Sequence, residues 1–218
     1  SQKNEVCDHF RELFSEAQYL GFPIQAIHTD SAKEYFEKKS FISWLTEHGV
    51  KRSASAPYAQ YQNGLAEVTM QQVQIHIHCA LFESGLPHSY WGEAFKYVIF
   101  TWNRTPKASI SGVTPHELIF EKVPDISFMH PFGCEAFAIH HDDKLPKFSA
   151  RGRQCIFIGY DQIRKAYRLL ALDDLSILTR APRDVTFVDH IFPVRESKMR
   201  NTLNTLLGIL VRILFDSN

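Results

Sequence analysis

The chain has 218 residues, of which 44% are hydrophobic and 13% aromatic, enough for one or two small packed domains. This composition excludes a disordered chain. Its 24 Lys and Arg residues balance 24 Asp and Glu residues, so the net charge gives no sign of a nucleic-acid partner. The four cysteines are widely spaced, which argues against a disulfide framework or a four-thiolate zinc site and favours a reduced intracellular protein. No stretch approaches the roughly 20 apolar residues of a membrane span.

The first 56 residues alternate between helical and strand patterns. Apolar residues recur at helical spacing over 6–17 and again over 41–45, and each of these segments is followed by a short strand pattern, at 24–29 and 50–56. This order predicts two parallel strands joined by a helix, with functional side chains at their carboxyl ends. Asp30 lies at such a strand end.

The next segment is helical, and the second half of the chain is rich in strands. Helical patterns cover 65–83 and 90–102, and a stretch with several prolines follows over 107–130. Short β-type runs then predict a small barrel or sandwich. These runs lie at 134–140, 154–159, 166–171, 176–180 and 185–188.

Charge is unevenly distributed along the chain. No Lys or Arg occurs between Arg52 and Lys96, whereas seven basic residues and a single acid lie between Lys144 and Arg168. Because cations supply most non-specific affinity for nucleic acid, the second stretch is the better candidate for such contacts, although an ordinary solvated surface explains it equally well.

Two carboxylates occupy positions that suit a metal site. Asp30 follows a predicted strand, and Glu67 begins the long predicted helix. Carboxylate oxygens are the ligands that Mg²⁺ prefers, and two such ions can activate a nucleophile and stabilise the leaving oxygen of a phosphodiester. The spacing alone is weak support for a metal site.

Short motifs around these carboxylates give a more specific indication. In chain order they are HTD at 28–30, EY at 34–35, PY at 57–58, QNGLAE at 62–67, YWGEA at 90–94, NRTP at 103–106, FGC at 132–134, CIFIGY at 155–160 and YRL at 167–169. In this order and spacing, the motifs resemble the integrase region of Ty/copia-type retrotransposon Pol polyproteins over about residues 3–192.

The resemblance implies an α/β fold class, with a ribonuclease-H-like core that is truncated at its N-terminus. It assigns residues 1–106 to a partial integrase catalytic core, 107–130 to a connector, and 131–192 to a small Src-homology-3-like β-barrel. Beyond the resemblance, the helical spacing of apolar residues predicts an amphipathic helical tail over 193–218. The implied activity is Mg²⁺-dependent strand transfer of element DNA into target DNA, in the nucleus.

Three carboxylates act together in that family, and Asp30 and Glu67 match the second and third. The chain begins too late to contain the first, so we expect an incomplete triad that binds Mg²⁺ weakly or not at all. The leading hypothesis is an inactive integrase remnant whose ancestral role was DNA integration. The alternatives are a non-catalytic module that binds nucleic acid or protein, and a chain whose upstream strands and first Asp come from another polypeptide.

The basic residues of the predicted barrel are the candidates for contact with element DNA, target DNA or RNA. They are Lys144, Lys147, Arg151, Arg153, Arg164, Lys165 and Arg168. The aromatic residues of 90–102 could stack on bases, but their helical spacing favours core packing. The tail suits a helix docked on the barrel, an oligomerising helix or an interfacial one, so self-association stays open.

Overall fold

The computed structural model describes residues 2–29, 39–54, 64–139 and 152–202. The chain divides into two compact units, residues 1–71 and 72–218. The helices are α1 (Gln2–Tyr19), α2 (Lys39–Glu47), α3 (Gly64–Ser84), α4 (Trp91–Trp102), α5 (Pro115–Phe120) and α6 (193–202). The strands are β1 (Ala26–Thr29), β2 (Lys51–Ala54), β3 (Glu135–Ile139), β4 (Gly152–Asp161), β5 (Ala166–Ala171), β6 (Ile177–Arg180) and β7 (Val185–Val188).

The first unit contains the predicted parallel strand pair. β1 and β2 pair in parallel with Ala26 opposite Lys51, which confirms the prediction. A small apolar cluster from α1, α2 and the start of β2 forms the core of this unit, and the ring of Trp44 stacks on that of Phe41 at 6.0 Å. The ribonuclease-H-like assignment of this region stays a prediction.

The second unit is built on a five-stranded antiparallel sheet with the order β6-β5-β4-β3-β7. The sheet agrees with the predicted Src-homology-3-like barrel in its strand number and antiparallel pairing. It differs from the prediction in closure, because β6 and β7 lie at opposite ends of the strand order within the described chain. The fold class is therefore a mixture of helices with a parallel strand pair and an antiparallel sheet, and the strands that the structure describes do not form a closed barrel.

The central strand β4 is buried on both faces, and this positions the helices around it. Cys155 and Phe157 point into one apolar cluster with β3 and β5, while Ile156 and Ile158 point into a second cluster with α3 and α4. A strand covered on both faces needs a continuous apolar run rather than alternation, which explains the CIFI sequence at 155–158. Helix α4 consequently lies against the sheet.

The segment predicted as a connector contains regular structure of its own. A short 3-10 turn covers Ala108–Ile110, and α5 begins after Thr114, whose side-chain oxygen accepts a hydrogen bond from the Glu117 N–H at 3.0 Å. Within the described ranges, no helix has the length and apolar character required to cross a membrane.

Candidate nucleic-acid interface

The structure describes only one of the two predicted catalytic carboxylates. Asp30 lies outside the described residues. Glu67 is in the first turn of α3 and is exposed. In the part of the chain that is described, no three His, Cys, Asp or Glu side chains come close enough together to hold a metal ion. A single described carboxylate does not make a two-ion site, so the Mg²⁺ site at Asp30 and Glu67 stays a prediction.

The residues predicted to contact nucleic acid also lie partly inside and partly outside the described residues. Three of the seven basic residues, Lys144, Lys147 and Arg151, lie outside the described residues. The other four, Arg153, Arg164, Lys165 and Arg168, lie on β4, on β5 or in the turn that joins them. Their role in nucleic-acid binding stays a prediction. They differ in whether a carboxylate of the chain already binds them, and this affects how available they are to a ligand.

Two of the four described cations are engaged by carboxylates of the chain. Arg153 donates from Nη2 to Asp173 Oδ1 at 2.7 Å and forms an ion pair with Asp174, and these contacts raise its pKa. Arg168 donates from Nε and Nη2 to the two carboxylate oxygens of Glu93, at 3.1 and 2.9 Å. This bidentate pair connects β5 to α4, and its geometry indicates that Arg168 holds the helix against the sheet.

The other two cations lie in the turn between β4 and β5 and are exposed. Arg164 is 3.7 Å from Asp161 Oδ2 with its side chain 72% exposed, so that contact leaves most of the guanidinium in solvent. Lys165 adopts a positive φ of 50° and forms no ion pair with any residue that the structure describes. This turn therefore presents positive charge to a ligand.

Beside the turn is a cavity of about 440 Å³ whose lining includes four aromatic residues. This volume falls within the roughly 300–1,000 Å³ typical of small-ligand sites. Its lining residues come from the end of α4 and the turn after it, from the predicted connector, from the β4–β5 hairpin and from the turn after β6. They are Phe100, Arg104, Phe128, Tyr160, Asp161, Gln162, Lys165, Ala166, Tyr167 and Pro182.

A bulge in β4 places Tyr160 in this cavity. The β4–β5 register shifts between Phe157 and Gly159, and Gly159 has a φ of 133°, a conformation that favours glycine. After the shift, Tyr160 pairs with Tyr167 on β5. A β-bulge changes the direction of the side chains that follow it, and here it brings a tyrosine ring beside helix α4.

Two hydrogen bonds fix the tyrosine rings. The Tyr160 hydroxyl accepts from the backbone N–H of His130 at 3.2 Å, and the Tyr167 hydroxyl donates to the backbone oxygen of Phe128 at 2.9 Å. Burial raises the pKa of both phenols. Both rings therefore stay neutral and fixed in position at physiological pH.

Arg104 extends over the ring of Phe100, one helical turn earlier in the chain. Its Cζ lies 3.6 Å from the centroid of the Phe100 ring, and Nη1 donates to the backbone oxygen of Phe100 at 3.1 Å. Tyr160 stacks on the same phenylalanine with a centroid distance of 4.1 Å and an interplanar angle of 25°. Partial burial lowers the pKa of Arg104. Arg104 forms no ion pair with any described residue, so it can bind an anionic or π-rich ligand.

Sequence reasoning did not identify this cavity as a site. The prediction that the aromatic residues of α4 pack in the core is confirmed for Phe100, which is 6% exposed, and is wrong for Trp91 and Phe95, which are 61% and 37% exposed; no role was predicted for Arg104 or Tyr160. One signal was available for Arg104, because a cation four residues after an aromatic residue on a helix lies over that ring. The approach of Tyr160 depends on tertiary packing, and no local pattern predicts it.

Comparison with known proteins bears on the origin of the chain. Residues 134–200 match the family model described as the retroviral polymerase SH3-like domain. Over 199 residues, or 91% of its length, the chain is 28% identical to the Retrovirus-related Pol polyprotein from transposon TNT 1-94 of Nicotiana tabacum. The chain is related to retrotransposon Pol polyproteins.

A second such polyprotein, from transposon RE2 of Arabidopsis thaliana, is 25% identical over 194 residues, or 88% of the Pol-related chain. The chain spans only 14% and 13% of the lengths of these two polyproteins. A chain of a simian T-cell lymphotropic virus intasome, solved by cryo-EM in complex with PP2A regulatory subunit B56 gamma, aligns with a TM-score of 0.43 and 15% identity, covering 85% of the Pol-related chain and 64% of its own length.

Proposed function

We propose that this Pol-related chain is an integrase-type segment that binds nucleic acid at the cavity formed by the end of α4, the predicted connector and the β4–β5 hairpin of its SH3-like domain. The observation that carries this proposal is a cavity with four aromatic residues and the cations Arg104 and Lys165 in its lining, next to the exposed Arg164 of the adjacent turn. Cations that no close carboxylate neutralises attract the phosphate backbone, and aromatic surfaces bind bases without sequence preference.

The similarity to Pol polyproteins supports integration of element DNA as the process that this binding serves. The catalytic part of the proposal is that Asp30 and Glu67 are an incomplete triad that does not support Mg²⁺-dependent strand transfer, and this part does not depend on the cavity. Catalysis and binding can therefore be tested separately. The catalytic part is tested by a strand-transfer assay with Mg²⁺ that compares the chain with its Asp30→Asn variant. Metal-dependent activity that the substitution abolishes would overturn the hypothesis of an inactive remnant.

The binding proposal is tested by measuring the affinity of the full chain for labelled DNA across a range of salt concentrations. Each phosphate contact contributes about 0.9 to the slope of log affinity against log salt for duplex, and about 0.7 for a single strand. We expect the double variant Arg164→Gln, Lys165→Gln to reduce the magnitude of this slope by up to the contribution of about two phosphate contacts.

The matched control for this experiment is Lys122→Gln, which removes an exposed cation outside the cavity lining. It should leave the slope unchanged. An equal loss of slope in the control and in the turn variants would place binding elsewhere on the chain. Absence of any salt-dependent DNA binding would refute the proposed function itself.

A further inference from the structure

Three aromatic rings and one guanidinium form a stacked column beside the cavity. The rings of Tyr97 and Tyr160 are nearly parallel, at 12° and 6.2 Å, and Tyr160 stacks in turn on Phe100 at 4.1 Å. The guanidinium of Arg104 lies over Phe100 at 3.6 Å. Because Tyr160 already covers one face of Phe100 at van der Waals distance, the guanidinium must cover the opposite face.

The guanidinium at the end of this column is held in place. Its hydrogen bond to the backbone oxygen of Phe100 and its contact with the Phe100 ring hold it against that ring. A guanidinium has two planar faces, and one of them contacts Phe100. Since Arg104 also lines the cavity, a further planar group stacked on the other face would lie within the cavity.

We propose that the Arg104 guanidinium is a stacking platform for one unpaired nucleobase, so that this site selects single-stranded over duplex nucleic acid. The inference rests on the proposed nucleic-acid function and adds the chemical class of the ligand. A guanidinium plane stacks well on a base, and only an unpaired, unstacked base has a free face to offer. The cavity volume accommodates such a group.

The charges at the edge of the cavity fit this ligand. Lys165 is placed to neutralise the phosphate that accompanies the base. The one acid in the lining, Asp161, accepts a hydrogen bond from the Arg164 backbone N–H at 3.0 Å and faces the Arg164 side chain, which offsets its repulsion of a phosphate. A base with its phosphate therefore matches both the flat, apolar part of the cavity and its cationic edge.

The test compares three labelled probes for binding to the full chain: a single strand, the duplex of the same sequence, and a single strand with the same backbone but abasic sites. The native chain should bind the single strand about 5- to 150-fold more tightly than the abasic strand, which is the range for one stacked base. Arg104→Lys keeps the positive charge but removes the planar face, so it should bind both strands with the affinity that the native chain has for the abasic one.

The matched control is Arg200→Lys, an exposed arginine in α6, which should keep the full preference for bases. If Arg104→Lys instead retains the preference for bases, the stacking platform is refuted. Binding of the duplex and the single strand by that variant would still support the proposed nucleic-acid function. A proline-rich peptide that binds in an Arg104-dependent way, with no binding of any nucleic acid, would refute both proposals. A variant that is merely destabilised would lose binding to all three probes. In the expected result, Arg104→Lys still binds the abasic strand with the native affinity, so this probe distinguishes the two cases.

Discussion

The contact between Gly133 and Ser84 offers a demanding test of the packing in the second unit. Gly133 precedes β3 and has a φ of 86°. A Cβ at this position would lie 2.1 Å from the Ser84 Cβ and 2.8 Å from its Cα. Ser84 is fully buried at the end of α3, where its hydroxyl donates to the Leu81 oxygen and accepts from the Leu86 N–H. Ser84 cannot move aside without disturbing these bonds.

We therefore expect Gly133→Ala to be strongly destabilising. The left-handed backbone costs a non-glycine residue about 1–2 kcal/mol, and overpacking of a well-packed site adds about 1–3 kcal/mol. The free energy of unfolding should fall by about 2–5 kcal/mol in total. Urea denaturation of the full chain, followed by tryptophan fluorescence and by circular dichroism, measures this loss.

Gly112→Ala is the matched control, because Gly112 has a similar φ of 80° but no atom within 4 Å of the added Cβ. It should lose only the backbone part, about 1–2 kcal/mol. If the two variants lose the same free energy, the close approach of Gly133 to Ser84 does not exist, and the packing of the α3 end on the sheet is wrong.

Three further predictions concern the same unit. Arg168→Gln should lower the free energy of unfolding by about 2 kcal/mol, because it removes two hydrogen bonds to the half-buried Glu93 carboxylate and leaves it only the exposed Lys96 at 3.7 Å, and should leave the salt slope of DNA binding unchanged; a lost slope with unchanged stability would contradict this. Burial raises the pKa of Cys134 from 9.0 to about 12, so the stability that its thiol contributes is complete below pH 9 and falls as the pH rises towards 12; because burial also raises the pKa of Cys155, Tyr160 and Tyr167, urea midpoints should fall in both proteins over this range, but less steeply in Cys134→Ala than in the native chain. Thr114→Ala should cost about 1 kcal/mol through loss of the α5 cap, whereas Thr114→Ser should cost little.

The regular elements of the chain could largely be predicted from the sequence. The spacing over 65–83 predicted a helix, and α3 runs from Gly64 to Ser84. The apolar run in 154–159 predicted a strand, which lies in the middle of β4. The helix is detected by its hydrophobic period, whereas a strand buried on both faces is detected by its short continuous apolar run.

Helix α5 was missed although its N-terminal signal is present. Thr114, Pro115 and Glu117 form the pattern of a capped helix start with proline at the first turn, but the surrounding prolines favoured a connector. Short helices are easily overlooked in this way, because six residues are too few to establish a hydrophobic period.

The candidate site was harder to predict, because its chemistry depends on pairing between distant residues. Sequence reasoning grouped Arg153, Arg164, Lys165 and Arg168 as equivalent cations. Arg168 meets Glu93 from α4, 75 positions earlier in the chain, and Arg153 meets Asp173 and Asp174, so these two are engaged while the turn residues stay exposed. Charge counts along a sequence cannot separate cations that bind a ligand from those that hold the fold.

The most direct test of nucleic-acid binding at this cavity is photo-crosslinking of the full chain to a single strand that carries a photoreactive base, with the attachment sites identified by mass spectrometry. We predict attachment in the peptides that contain Arg104 and Lys165, the residues proposed to contact the base and its phosphate, and reduced attachment there in Arg104→Lys. Attachment confined to peptides from other parts of the chain would contradict the claim that this aromatic cavity binds nucleic acid.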